Sequence, residues 1–173
     1  GGRSCLADAS VVDASPLILL SRAGYLSLLT AVTPTVVLTP PVLAEVQAKG
    51  ADDPAARAIE DASWLVRVPA FSLAPEISTW KLGLGEASVL SWALSHPGTV
   101  AILDDARGRR SADSLRVPVM GTVGVVLIAR GQGRIQAARP VLERLMDCGM
   151  FISSSVLREA LELARRLASE SPA

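Results

Sequence analysis

Short runs of β-branched and aliphatic residues recur along the chain, and each is followed by a stretch whose apolar positions have helical spacing. The runs Ala9–Asp13, Thr35–Thr39, Trp64–Pro69, Thr99–Asp104 and Val117–Met120 predict five strands. Between them, Ser15–Thr30 reads as a helix with Ser15 as N-cap and Pro16 at its first position. Pro40–Lys49 reads as one that opens on prolines and stops at Gly50. Asp53–Ala62, Gly85–Ser95, Ala106–Leu115 and Thr122–Arg130 continue the helical series, which closes in a hairpin of Ile135–Cys148 with Ser153–Ala168. Alternation of strand and helix predicts an α/β fold, a parallel sheet wrapped by helices on both faces. No repeat, low-complexity tract or Pro/Ser-rich linker divides the chain. Residues 1–173 therefore read as a single domain, with a core over about residues 10–150 and an amphipathic C-terminal helix over 153–168.

Composition narrows the class without choosing a function. Half of the residues are hydrophobic and 20% are charged, which supplies one core, and 17 basic residues balance 17 acidic ones. Any electrostatic specialisation must then be local. Apolar runs such as Ser10–Leu20 and Gly121–Ala129 end well short of the roughly 18–20 residues of a membrane span. No leader-peptide pattern opens the chain, and Cys5 and Cys148 lack metal-ligand spacing. The expectation is a cytoplasmic protein with no membrane partner, its opening residues 1–8 outside the folded core.

Right-handed crossovers place the loops that follow parallel strands along one edge of the sheet, and acidic residues stand at that edge. Asp13 ends the first strand, a position that also suits a helix cap. Asp104 and Asp105 end the fourth; adjacent carboxylates at a buried strand end repel one another unless a cation compensates, while the alternative is a solvated helix start. Helical spacing sets Glu45 against the stripe of Val42 and Val46. Glu86, with Val89, Leu90 and Ala93 at i+3, i+4 and i+7, faces the core side of its helix or serves its N-terminal dipole. If these segments converge, their carboxylates need a counterion. An oxygen-only donor set without nearby His or Cys selects a hard cation, Mg²⁺ or Mn²⁺, suited to hydrolysis of a phosphodiester backbone. Asp13 and Asp104 would anchor it, with Glu45, Glu86 or Asp105 completing coordination or orienting water.

Other residues offer weaker signals. Fifteen of the 17 basic residues are Arg, and Arg107, Arg109, Arg110 and Arg116 crowd the segment after the acidic pair, where they either hold phosphates or pair with Asp113 along a solvated helix. Most aromatics read as core; Trp80, in a polar stretch, is the candidate exposed stacker. Gly83-Leu84-Gly85 lacks a third glycine and a preceding strand, so it is a turn rather than a dinucleotide fingerprint. Gly121-Thr122-Val123-Gly124 serves either a phosphate or tight packing, which keeps Thr122 as a secondary candidate. Ser15 has no hydrolase-nucleophile context, and His96 in His96-Pro97-Gly98 reads as a helix C-terminal cap. The apolar stripe Val156, Leu157, Ala160, Leu161, Ala164 and Leu167 of the last helix covers either the parent domain or a second subunit.

Taken in order, Val12-Asp13-Ala14-Ser15-Pro16-Leu17-Ile18, Pro41-Val42-Leu43-Ala44-Glu45-Val46, Leu84-Gly85-Glu86-Ala87, Leu103-Asp104-Asp105-Ala106-Arg107 and Val119-Met120-Gly121-Thr122-Val123-Gly124-Val125 resemble the successive blocks of PIN-domain proteins over about residues 10–150. The chain is most similar to a prokaryotic branch of PIN-like proteins related to the VapC-type toxins. That resemblance implies a five-stranded parallel sheet of order 3-2-1-4-5 flanked by helices in three layers. It implies an acidic metal site at Asp13, Glu45, Glu86 and Asp104 or Asp105, and Mg²⁺- or Mn²⁺-dependent ribonuclease activity on an RNA substrate. Homodimers and a cognate antitoxin are also implied, with Ser15, Arg107, Arg109, Arg110 and Thr122 as secondary contacts to substrate. Two blocks depart from the family pattern: a Glu at a helix start replaces an Asp inside a helix at position 86, and Leu103 precedes Asp104 where Thr is usual. The rival classes are a signalling receiver, whose acidic pair would follow the first strand rather than the fourth, and a PIN-like protein that binds a partner or RNA without cleaving it.

Overall fold

The computed structural model describes residues 8–50 and 52–170. Cys5 and the rest of Gly1–Leu6 lie outside the described residues. Five strands, β1 (Ala9–Val12), β2 (Thr35–Leu38), β3 (Leu65–Arg67), β4 (Thr99–Ile102) and β5 (Val119–Met120), form one parallel sheet in the order 3-2-1-4-5. β1 is the central strand and runs in register with both neighbours, Val11 opposite Val37 on one side and Ala101 on the other. Buried on both faces, the strands carry near-continuous apolar runs: Val11, Val12, Val36, Val37, Leu38, Ala101 and Ile102 are all at most 3% exposed.

The helices are α1 (Ala14–Ala23), α2 (Pro40–Gln47), α3 (Pro54–Asp61), α4 (Leu84–Ser95), α5 (Ala106–Ser114), α6 (Thr122–Gly131), α7 (Ala138–Asp147) and α8 (Ser154–Glu170). From β1 the chain moves outward through β2 to β3, then returns to β4 on the opposite side of β1 and continues to β5. Right-handed crossovers in these two senses put helices on both faces. The strand order reverses between β1 and β4, and a crevice at the carboxyl ends of those strands is the expected ligand position in such a sheet.

Four details differ from expectation. The helix predicted over Ser15–Thr30 stops at Ala23, where Gly24 turns left-handed (φ 81°) and donates to Leu20 and Ser21 carbonyls; a 3-10 stretch, Leu26–Ala31, follows. Its N-cap is Asp13 rather than Ser15, so Pro16 falls at the third helical position. Phe151, between α7 and α8, is 91% exposed instead of core, and Trp80 is half-buried at the end of the 3-10 stretch Pro75–Trp80 rather than fully exposed. His96 does cap α4: its Nδ1 lies 3.0 Å from the Trp92 carbonyl and its ring stacks on Trp92 at 3.8 Å. The stripe of α8 is covered within the chain at Ala160, Leu161 and Ala164, where the helix packs on α6 and α7, while Val156 is 45% exposed.

Candidate active site

At the carboxyl edge of β1 and β4, Asp13, Ser15, Glu45, Gly83, Gly85, Glu86, Asp105, Ala106, Arg107 and Arg110 line a cleft of about 640 Å³. Four separate segments deliver its carboxylates. Asp13 takes the N-cap backbone of α1, yet its side chain makes no cap hydrogen bond. The third helical residue is Pro16, which has no N–H to donate, so of the two usual cap donors only that of Ser15 remains. The Asp13 N–H bonds the Ile102 carbonyl at 3.0 Å, extending the β1–β4 pairing by one residue and turning the free carboxylate into the crevice. Burial raises its pKa to about 7 against the pull of the Ala14 N–H, and the charges of Glu86, Glu45 and Asp104 add to the rise.

Glu45 was expected against the apolar stripe of α2. Val42 and Val46 are buried, but Glu45 is exposed and brings only its carboxylate end to the cleft. A Cβ built on Gly85 would sit 2.8 Å from Glu45 Oε2 and 3.3 Å from Asp13 Oδ1, so both oxygens press on the space that this glycine leaves empty. The first turn of α4 is held there by hydroxyls. Ser88 donates to the Gly85 carbonyl at 2.7 Å, and its oxygen lies 2.7 Å from that of Thr39, which is the N-cap of α2. Helix α4 is buried on nearly every side, which its small residues permit.

Glu86 fulfils both of its sequence expectations. One oxygen reaches back to the Gly83 N–H at 3.2 Å, capping α4, while the other faces Gly108, whose added Cβ would stand 3.2 Å away. Its pKa is raised chiefly by burial, then by Asp105, and the carboxyl of Glu86 is hydrogen-bonded to that of Asp105. Asp105 is the N-cap of α5, accepting from Gly108 at 3.0 Å and Arg107 at 2.8 Å. These N–H groups, with the Glu86 hydrogen bond and the Arg107 charge, hold its pKa below the usual carboxylate range.

Asp104 and Thr122 form a separate unit. Asp104 accepts the Thr122 N–H at 2.7 Å and the Thr122 hydroxyl at 2.6 Å, pinning the start of α6 to the end of β4. Thr122 is fully buried, so the structure gives it a positioning place rather than an exposed contact, and its N–H is occupied by Asp104 rather than open to a phosphate. Asp104 adds its charge to Asp13 but faces a second groove with Arg109. The arginines divide accordingly. Arg107 and Arg110, three apart on α5, line the acidic cleft, and Arg107 Nη1 bonds the Lys81 carbonyl at 3.3 Å. Arg109 points to the other side of α5, its Nη1 2.8 Å from the Cβ position of Gly121. Arg116 lies in the turn before β5 with a left-handed φ of 56°, away from both. Among the described residues neither Arg109 nor Arg110 is ion-paired with Asp113.

The residues that sequence reasoning missed carry no charge: Gly85 and Gly108, which leave space, and Thr39 and Ser88, whose hydroxyls position α4. The one available signal was Gly85 and Ser88 at i and i+3, small residues on one face of α4.

Among the described residues, no three His, Cys, Asp or Glu side chains stand close enough together to grip a metal ion unaided. Carboxylate oxygens alone, a buried Asp13 whose charge is uncompensated, and the space left open at Gly85 suit a hard cation that keeps part of its water shell. Mg²⁺, which dehydrates reluctantly and takes one or two carboxylates directly, has those requirements.

A doubly wound parallel sheet with carboxylates gathered where its strand order reverses defines a class of α/β proteins whose chemistry sits at that crevice. The family model described as a PIN domain matches residues 9–166, and the chain belongs to the PIN-domain family. Searches of curated proteins and of solved structures gave no match. PIN domains are generally nucleases, acting on nucleic acid and generally using divalent metal ions.

Proposed function

We propose that this protein is a Mg²⁺- or Mn²⁺-dependent endoribonuclease that hydrolyses RNA phosphodiester bonds in the cleft around Asp13. The observation that carries the reading is the meeting of Asp13, Glu45, Glu86 and Asp105 with Arg107 and Arg110 around one cleft. Asp13 would hold the ion, with Glu45, Glu86 and Asp105 completing its surroundings or orienting water, while Asp104, bonded to Thr122 and bordering the neighbouring groove, would add its charge from the side. When bound, the ion neutralises phosphate charge and activates water for in-line attack. Arg107 and Arg110 hold backbone phosphates beside the acidic groups, as guanidinium forks do well. Glu86 lines the cleft and is placed to exchange a proton with the leaving oxygen.

The test is incubation of the purified chain with structured and single-stranded RNA, with Mn²⁺ and with EDTA. Cleavage that needs Mn²⁺ and falls by at least about 100-fold in Asp13→Asn supports the assignment; equal behaviour of the two proteins removes it. Within the same reading the chain is the cytoplasmic, homodimeric toxin of a toxin–antitoxin pair, and its antitoxin is a protein that covers the acidic cleft. Growth arrest on induction that disappears in Asp13→Asn tests that role. Among the described residues no helix is long and apolar enough to cross a membrane.

A further inference from the structure

Helices α2 and α4 bring Glu45 and Glu86 to the cleft, and the two helices pack on one another. They are joined by a pair of hydroxyls that water does not reach. Thr39 and Ser88 are both 0% exposed, and their oxygens lie 2.7 Å apart. The direction of this bridge follows from what it touches. Ser88 gives its only proton to the Gly85 carbonyl at 2.7 Å, which can accept and nothing else, so Thr39 must be the donor to Ser88. As N-cap of α2, Thr39 makes no side-chain bond to its own helix, where Pro40 and Pro41 leave no N–H at the first two positions. Its hydroxyl serves α4 instead. On stability grounds an apolar pair of the same shape would do about as well; what the hydroxyls add is direction, since a satisfied buried bond fixes one arrangement of the two helices.

That arrangement matters because the bridge ends on Gly85, where the parts of the cleft meet. The position of the missing Cβ stands 2.8 Å from Glu45 Oε2, 3.3 Å from Asp13 Oδ1 and 3.6 Å from Val42 Cγ2. Among the described residues the Glu45 carboxylate has no hydrogen bond or ion pair, so nothing but the placement of α2 holds it beside Asp13. We infer that Thr39 and Ser88 are positioning residues of the cleft, whose buried bridge sets how far Glu45 stands from Asp13 and, through that, the affinity of the cleft for a divalent cation. The inference rests on the nuclease reading and adds to it two uncharged residues that do not line the cleft. Both act through the backbone, Thr39 at the start of α2 and Ser88 on the first turn of α4.

The experiment measures Mn²⁺ binding to the purified chain by electron paramagnetic resonance of the unbound ion, with no RNA present. Thr39→Val keeps the shape of the side chain and removes the donor. It should weaken Mn²⁺ binding about tenfold, as loss of a group that orients a metal ligand does, and Thr39→Ser should restore it. Ser88→Ala should weaken binding by a similar factor, and the double variant by no more than either single one, because both break one bridge. In a Glu45→Gln background Thr39→Val should change affinity by less than about twofold, the charge it places having gone. Ser91→Ala is the control: Ser91, one turn further along α4, is equally buried, but it accepts the Ala74 N–H at 3.0 Å and takes no part in the bridge. Its loss should lower stability in chemical denaturation and leave Mn²⁺ affinity unchanged. Circular dichroism checks that each variant is folded, and if Thr39→Val does not fold, Ser88→Ala carries the same comparison. Two results overturn the inference: Mn²⁺ affinity in the bridge variants equal to wild type, or a loss that Ser91→Ala reproduces, which would make it a general loosening of α4. Either leaves the nuclease reading standing so long as Asp13→Asn abolishes Mn²⁺ binding. A wild-type chain that binds no Mn²⁺ removes that reading, and the role of the bridge with it.

Discussion

At Asp13 two facts about one residue combine: Pro16 removes one of the two N–H groups that a cap would use, and the side chain is buried at the end of β1. The consequence is a group whose pKa moves from 3.8 to about 7 on folding. Between those values the folded chain binds more protons than the unfolded one, so stability is greatest at low pH and declines as pH rises through the interval, by at most about 4 kcal/mol. Urea titrations of metal-free protein at pH 5 and pH 8 should show the decline, and Asp13→Asn should lose most of it, becoming more stable than wild type at pH 8. Gly85 makes a complementary case. Replacing it by Ala improves helix propensity by roughly 0.5–1 kcal/mol, but the new Cβ lands 2.8 Å from Glu45 Oε2 and 3.3 Å from Asp13 Oδ1. The flexible Glu45 must move. Gly85→Ala should melt within about 1 kcal/mol of wild type while nuclease activity falls at least about tenfold, since small misplacements at a reacting centre are costly. Asp13, Asp104 and Asp105 were legible in the sequence because charge at a strand end is conspicuous, and Glu45 and Glu86 because helical spacing set them beside apolar positions. Gly85 was not, because no spacing tells what a missing side chain faces.

Among the elements, α5 and α6 show where local pattern suffices and where it does not. The starts of both helices were readable from Asp105 and Thr122, but the partner of Thr122 lies across the sheet edge at Asp104. Thr122→Val deletes the hydroxyl bond and keeps the backbone one, leaving an Asp104 oxygen without its donor. Chemical denaturation should show a loss of about 1–3 kcal/mol, with Thr122→Ser close to wild type. Glu45 shows the limit of helical spacing, which fixed its direction on α2 but not how far its end reaches past Val42 and Val46. The break at Gly24 escaped because apolar spacing runs on into Leu26, Leu28 and Leu29, which are buried in the 3-10 stretch just as a continuing helix would bury them.

For the molecule as a whole, a formal charge of zero conceals an uneven distribution: the carboxylates gather at one crevice and no lysine lines it. A divalent cation there relieves repulsion only in the folded state, so Mn²⁺ at about 100 times its dissociation constant should stabilise the chain by about 2.7 kcal/mol. Thermal melts with and without Mn²⁺ measure this, and the increment should shrink sharply in Asp13→Asn. The strand alternation was enough to place acids along one edge, while the pairing of β1 with β4 was accessible only through resemblance, because nothing local in either strand names its neighbour. That pairing also governs when the crevice is completed. Asp13 emerges early in synthesis, but β4 and Asp105 are made much later, and until they dock the acids of the crevice remain apart. A nascent chain thus carries the acids of the crevice on segments that have yet to meet, and the site is assembled only once β4 has been made and docked.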